Sequence, residues 1–168
     1  TPIEAKPDDV RHFQSRLRPD LRHRNPTYAA MLKSLDEGVG RVLDHLRARG
    51  LEDRTIVVFT SDNGSTFAIG GYDPAWFEGT GGLRGHKTNL HEGGIRVPFI
   101  MRWPGVIAGG SVLDVPVAGW DIAPTLCAAA GVAVASGRAD GIDLRPWLEA
   151  AGRQDAPRPP ERELYWEF

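Results

Sequence analysis

Apolar residues recur at three- and four-residue steps from Tyr28 through Leu32, Leu35, Val39 and Val42 to Leu46. Lys33, Asp36, Glu37, Arg41 and Asp44 lie off that stripe. The period predicts an amphipathic helix packed on a sheet or core. Asn25 suits its cap, Pro26 its first turn, and Gly50 its end after Arg47 and Arg49. A shorter helix is predicted within Pro7 to Leu17, where Asp8 and Asp9 favour the positive end and Val10, Phe13 and Leu17 share a face. Thr55 to Thr60 is instead a continuous β-branched and aromatic run, which predicts a buried parallel strand. Val97 to Trp103 reads as a second strand closed by Pro104-Gly105, Val112 to Val117 as a weaker one, and Glu163 to Phe168 as a last one. Asp121 is placed to cap a helix through Ala130 that stops at Gly131, and Leu144 to Ala150 reads as a helical turn.

Helices alternating with strands make the fold class α/β. The 20 glycines and 13 prolines fit short elements joined by shaped loops. Between Gly64 and Gly94 lies a long glycine-rich stretch of little periodicity, a length that in a compact domain usually carries function. No repeat is visible, and only Ala150 to Arg162 is low in complexity. A formal net charge of −2 gives no basic field for nucleic acid. The single cysteine, Cys127, excludes an internal disulfide framework and a multi-cysteine zinc site, and its place on the apolar face of the Asp121 helix reads as a buried thiol. The longest uncharged run, Ile122 to Gly137, is 16 residues, below the roughly 20 apolar residues that span a membrane.

Binding crevices in open α/β sheets lie beyond the carboxyl ends of strands, where Asp62 and Asn63 follow the Thr55 run. A carboxylate beside an amide oxygen suits a hard cation, yet Asp-Asn-Gly is equally ordinary turn chemistry, and the residues alone leave both readings open. The second constellation is Gly79-Thr80-Gly81-Gly82-Leu83-Arg84-Gly85-His86-Lys87, followed by Glu92-Gly93-Gly94-Ile95-Arg96-Val97-Pro98. Its cations are able to hold an oxyanion, while Arg84 and Arg96 equally suit bracing pairs with Asp or Glu. It lacks the Gly-Lys-Ser/Thr ending of a nucleotide phosphate loop. His86 and His91 flank the candidate site, whereas His12, His23 and His45 sit in polar surroundings. Trp103 and Trp120 read as core edges, and Trp76 beside Phe77 as lining for a substrate cleft.

Taken in order, Val57-Val58-Phe59-Thr60-Ser61-Asp62-Asn63-Gly64, Leu83-Arg84-Gly85-His86-Lys87, Glu92 to Pro98 and Trp103-Pro104-Gly105 resemble the type I sulfatases, the arylsulfatase group. Asp121-Ile122-Ala123-Pro124-Thr125-Leu126 and Asp140-Gly141-Ile142-Asp143-Leu144 match the same order. The resemblance implies the later part of an alkaline-phosphatase-like fold, a mixed sheet flanked by helices. Residues 1–162 would belong to the catalytic domain and residues 163–168 would open a small C-terminal subdomain. It implies a calcium-dependent sulfate-ester hydrolase, with magnesium as the other hard cation considered. Asp62 and Asn63 match metal ligands, Lys87 matches the lysine that contacts sulfate, and His86 is carried as a substrate-binding candidate. The family's nucleophile, a formylglycine made within a Cys/Ser-x-Pro/Ala-x-Arg motif, has no counterpart here, because Cys127 is followed by three alanines. The expectation is therefore a chain that works with a missing N-terminal half and is inactive alone. Family members are commonly exported, and the expected substrate is a small-molecule or carbohydrate sulfate ester. A phosphoester or phosphonate hydrolase of the same superfamily and a non-catalytic module binding sulfated glycans are the alternatives.

Overall fold

Asn25 and Pro26 begin the longest helix, as the sequence predicts. The computed structural model describes residues 3–70, 79–134, 140–151, 153, 157 and 160–167. In it α1 is Pro7–Gln14 and α2 is Pro26–Ala48, and the Asn25 side chain accepts a hydrogen bond from the Tyr28 N–H at 2.9 Å. That bond satisfies one of the donors a helix start leaves open. A 3-10 turn at Glu52–Arg54 leads into β1, Val57–Thr60. A short helix α3, Glu92–Ile95, precedes β2, Phe99–Arg102, and β1 and β2 pair in a two-stranded sheet. A second 3-10 turn, Gly119–Asp121, is followed by α4, Ile122–Ala129, and then α5, Arg145–Glu149.

The chain divides into two units, residues 1–52 with 59–99 and residues 53–58 with 100–168, and the division falls within both strands. In the first unit α1 packs on α2. Lys33 of α2 bonds Asp9 of α1 at 2.8 Å and also Glu37, which accepts from Lys6 at 3.3 Å. Ala30 is fully buried, whereas Leu32, Leu35 and Val42 of the predicted stripe are exposed, Val42 by 61%. Periodicity located the helix but misjudged what covers it, because among the described elements α2 meets α1 and no sheet. The strands differ from expectation in the same way. Phe59 and Ile100 are exposed, since a lone pair of strands leaves faces that no second layer covers.

The core of the second unit is Leu144, Trp147 and Leu148, packed against Met101, Trp103, Ile107, Leu113, Val117 and Ile142. Trp103 is thus the core-edge residue expected. Trp120 is partly exposed, and its ring lies 5.4 Å from that of Trp166. Residues 112–117 form no strand, consistent with Pro116 lacking the N–H a ladder needs, and residues 163–167 form none either. Cys127 is half-buried rather than buried.

Asp121 departs most from its predicted role. It precedes α4, but its side chain makes no capping bond to that helix. The carboxylate is fully buried and accepts from the Ala118 N–H at 2.8 Å, the Ile142 N–H at 3.0 Å and both guanidinium ends of Arg162, at 2.7 and 2.5 Å. Thr125 donates to the Asp121 carbonyl at 2.7 Å and accepts from the Leu144 N–H at 2.9 Å. Two motifs some twenty residues apart in sequence are therefore one hydrogen-bonded knot.

Candidate functional site

Asp62 and Asn63 leave the end of β1 in a tight turn within the first unit. Ser61 Oγ donates to the Asn63 carbonyl at 2.9 Å, and Asn63 Nδ2 donates to the Asp62 carbonyl at 2.6 Å. The turn chemistry is real, and among the described residues it leaves the Asn63 Oδ1 without a donor and the exposed Asp62 carboxylate without a partner. Both readings of Asp-Asn-Gly are thus compatible, because the turn uses backbone oxygens, the Ser61 hydroxyl and the Asn63 amide nitrogen and spares the side-chain oxygens of Asp62 and Asn63.

The glycine-rich segment closes onto this turn through backbone. The Gly64 N–H donates to the Gly94 carbonyl at 2.9 Å, the Gly93 N–H to the Arg84 carbonyl at 2.7 Å, and the Lys87 N–H to the Ser65 carbonyl at 2.7 Å. The crossing is too close for side chains. A Cβ on Gly64 would lie 2.0 Å from the Gly93 oxygen, and one on Gly93 would lie 2.2 Å from the Gly85 oxygen. Gly93 is therefore a packing requirement of the segment that carries Lys87. Gly93→Ala is expected to destabilise the protein by about 1–3 kcal/mol, as overpacking does. Thermal melting of the variant checks this, and an unchanged midpoint would mean that the crossing yields easily.

Lys87 is exposed, and its ammonium has no partner among the described residues. Its carbonyl contacts His86 Nδ1 at 2.6 Å. His86 is half-buried, 5.9 Å from the Phe67 ring between centroids, and its N–H donates to Asn89 Oδ1 at 3.2 Å. Thr88 follows at φ +78°, the one non-glycine residue of positive φ among those described. Of the two arginines, Arg96 pairs with Glu92 at 3.3 Å as a brace, while Arg84 is exposed with no acidic partner among the described residues. His91 is exposed, and Trp76 with Phe77 lies outside the described residues. The Lys87 carbonyl contact and the Thr88 backbone were not foreseen, although an asparagine three residues after His86 is a turn signal available in the sequence.

The structure thus brings the backbone of Lys87 beside the Asp62–Ser65 turn. Asp62 and Asn63 offer hard oxygen donors that suit calcium or magnesium in kind, though two of the six to eight that calcium takes. Among the described residues no group of three His, Cys, Asp or Glu able to hold a metal gathers, at this turn or elsewhere. The sequence model described as Sulfatase matches residues 3–132.

The chain belongs to the sulfatase family.

Steryl-sulfatase of Rattus norvegicus is 40% identical over 123 residues, covering 72% of this chain and 21% of that protein. Among solved structures, Ps i-CgsB in complex with k-i-k-neocarrahexaose is 33% identical with a TM-score of 0.72, covering 87% of this chain and 30% of that one. BT4656 in complex with its substrate D-glucosamine-2-N,6-O-disulfate is 35% identical with a TM-score of 0.62, covering 77% and 24%. The fold of this sulfatase chain is accordingly alkaline-phosphatase-like. The chain spans less than a third of the length of each of these three proteins.

Proposed function

We propose that the enzyme carrying this chain hydrolyses sulfate esters of carbohydrates, with Asp62 and Asn63 as part of a calcium site, magnesium being the alternative, and Lys87 as the contact to the sulfate. The reading is supported by family membership, by a relative of 35% identity whose substrate is a sulfated glucosamine, and by the chemistry of the residues. The observation that carries it is the 2.7 Å bond from the Lys87 N–H to the Ser65 carbonyl, which roots a cation without a partner among the described residues beside a turn whose Asp62 and Asn63 side-chain oxygens are likewise unbonded among them.

Asp62 contributes charge and Asn63 a neutral oxygen, so together they favour a hard divalent cation over a softer one. Asp62 and Asn63 would hold such a cation, whose positive charge would orient sulfate oxygens and offset negative charge developing as the ester bond breaks. Lys87 supplies a second, movable positive charge toward the same oxyanion. A formylglycine outside this chain would provide the attacking oxygen. Neither Lys87 nor a hard cation separates sulfate from phosphate, because both esters present tetrahedral oxyanions.

Turnover of an aryl sulfate against the matching aryl phosphate is the test. The expected result is faster hydrolysis of the sulfate, with the activity lost on chelation of divalent metal and restored by calcium or magnesium. Preference for the phosphate would move the assignment to a phosphoester hydrolase of the same fold.

A further inference from the structure

Lys87 has no partner for its side chain among the described residues, yet its backbone is held on both sides. Its N–H is bonded to the Ser65 carbonyl at 2.7 Å, and its own carbonyl lies 2.6 Å from His86 Nδ1. A carbonyl oxygen only accepts, so the ring nitrogen facing it carries the proton, which fixes the tautomer whenever the imidazole is neutral. Nε2 then points away without a partner among the described residues. The ring is further set by Phe67, and the His86 N–H by Asn89 Oδ1. The chain leaves Lys87 through Thr88 at φ +78°, a left-handed conformation that a β-branched residue adopts only under constraint. A long lysine without a partner among the described residues, on so constrained a root, has the direction of its first bond fixed before any anion arrives.

We propose that His86, as the Nδ1–H tautomer, is the positioning residue for Lys87. The proposal rests on the reading of Lys87 as the sulfate contact and adds that His86 acts through the Lys87 carbonyl rather than on the substrate.

The test compares His86→Ala, His86→Asn and His86→Gln in the enzyme carrying this chain, each alone and the alanine variant also with Lys87→Ala. Asparagine places an amide N–H where Nδ1–H sits, whereas the longer glutamine places it where Nε2 sits. His86→Ala is expected to lower kcat/KM for an aryl sulfate by about 10- to 100-fold. His86→Asn restores most of that loss and His86→Gln does not, at matched melting temperatures. In the Lys87→Ala background the His86→Ala change costs nothing further. Nitrogen-15 NMR of the imidazole reads a protonated Nδ1 and a bare Nε2 in the wild type at a pH where the ring is neutral. Equal rescue by glutamine, an undiminished His86→Ala effect without Lys87, or an Nε2–H tautomer would each overturn the positioning role. Full activity of Lys87→Ala would instead overturn the sulfate-contact reading itself.

Discussion

Asp62→Ala in the enzyme carrying this chain is expected to reduce kcat for sulfate-ester hydrolysis by about 10³-fold or more, since on the proposed reading several kcal/mol of transition-state charge stabilisation would depend on the cation it would help to hold. The same change should leave folding within about 0.5 kcal/mol of the wild type, as is usual for surface substitutions away from structural contacts. The Asp62 carboxylate is exposed and has no partner among the described residues, while the turn is closed by Ser61 Oγ and Asn63 Nδ2, which the substitution does not touch. This asymmetry separates the two meanings of Asp-Asn-Gly. Paired measurements of turnover, metal affinity and thermal melting decide between them. Unchanged turnover with weakened folding would make the residue a turn former and end the metal assignment.

The second large effect falls on stability and on the other unit. Asp121→Ala is expected to cost about 3–5 kcal/mol, the range for removing one partner of a buried ion pair. The variant would leave the Arg162 guanidinium with only its bond to the Pro116 carbonyl and would strand the N–H groups of Ala118 and Ile142 that the fully buried carboxylate now satisfies. Burial pushes the Asp121 carboxyl up, but the hydrogen bonds from Arg162, Ala118 and Ile142 and the Arg162 charge outweigh it, so the group sits below its ordinary value. A carboxyl depressed on folding stabilises the protein above its unfolded value, near 3.9, and loses that contribution as pH falls through the folded value. The difference between wild type and Asp121→Ala should therefore stay constant from about pH 8 to pH 5 and narrow below about pH 4. Denaturant melts across that range check it. A difference below about 1 kcal/mol at pH 7 would mean that the pair is dispensable.

The elements most legible in the sequence were those written in local chemistry. Asn25 and Pro26 announced the start of α2, and the β-branched run announced β1, because capping and backbone preference act within a few residues. What covers those elements was not legible. The stripe through Leu32, Leu35 and Val42 predicted burial that no described neighbour supplies, since periodicity reports a face and not its partner. Asp121 shows the same limit from the polar side. Its position before α4 suggested a cap, and only the return of Ile142 and Arg162 from 21 and 41 residues away gives the carboxylate its bonds.

The sequence singled out Asp62, Asn63, His86 and Lys87 as candidates, and the structure places the Lys87 backbone beside the Asp62–Ser65 turn. The reason for their neighbouring glycines was not legible. Gly64 and Gly93 are where one stretch of backbone crosses another, a contact between distant positions that no local pattern announces. The left-handed Thr88 gave no sequence signal, because threonine is a residue that turn chemistry would not choose there.

The rate at which the enzyme carrying this chain releases sulfate from an aryl sulfate, measured for the wild type and for Lys87→Ala, tests the central claim most directly. A kcat/KM lower by about 10²- to 10³-fold is expected in the variant, the scale of removing one charge-stabilising donor, with unchanged melting because the Lys87 ammonium has no partner among the described residues. Equal rates for the two proteins, or no sulfate release by either under metal-replete conditions, would contradict it.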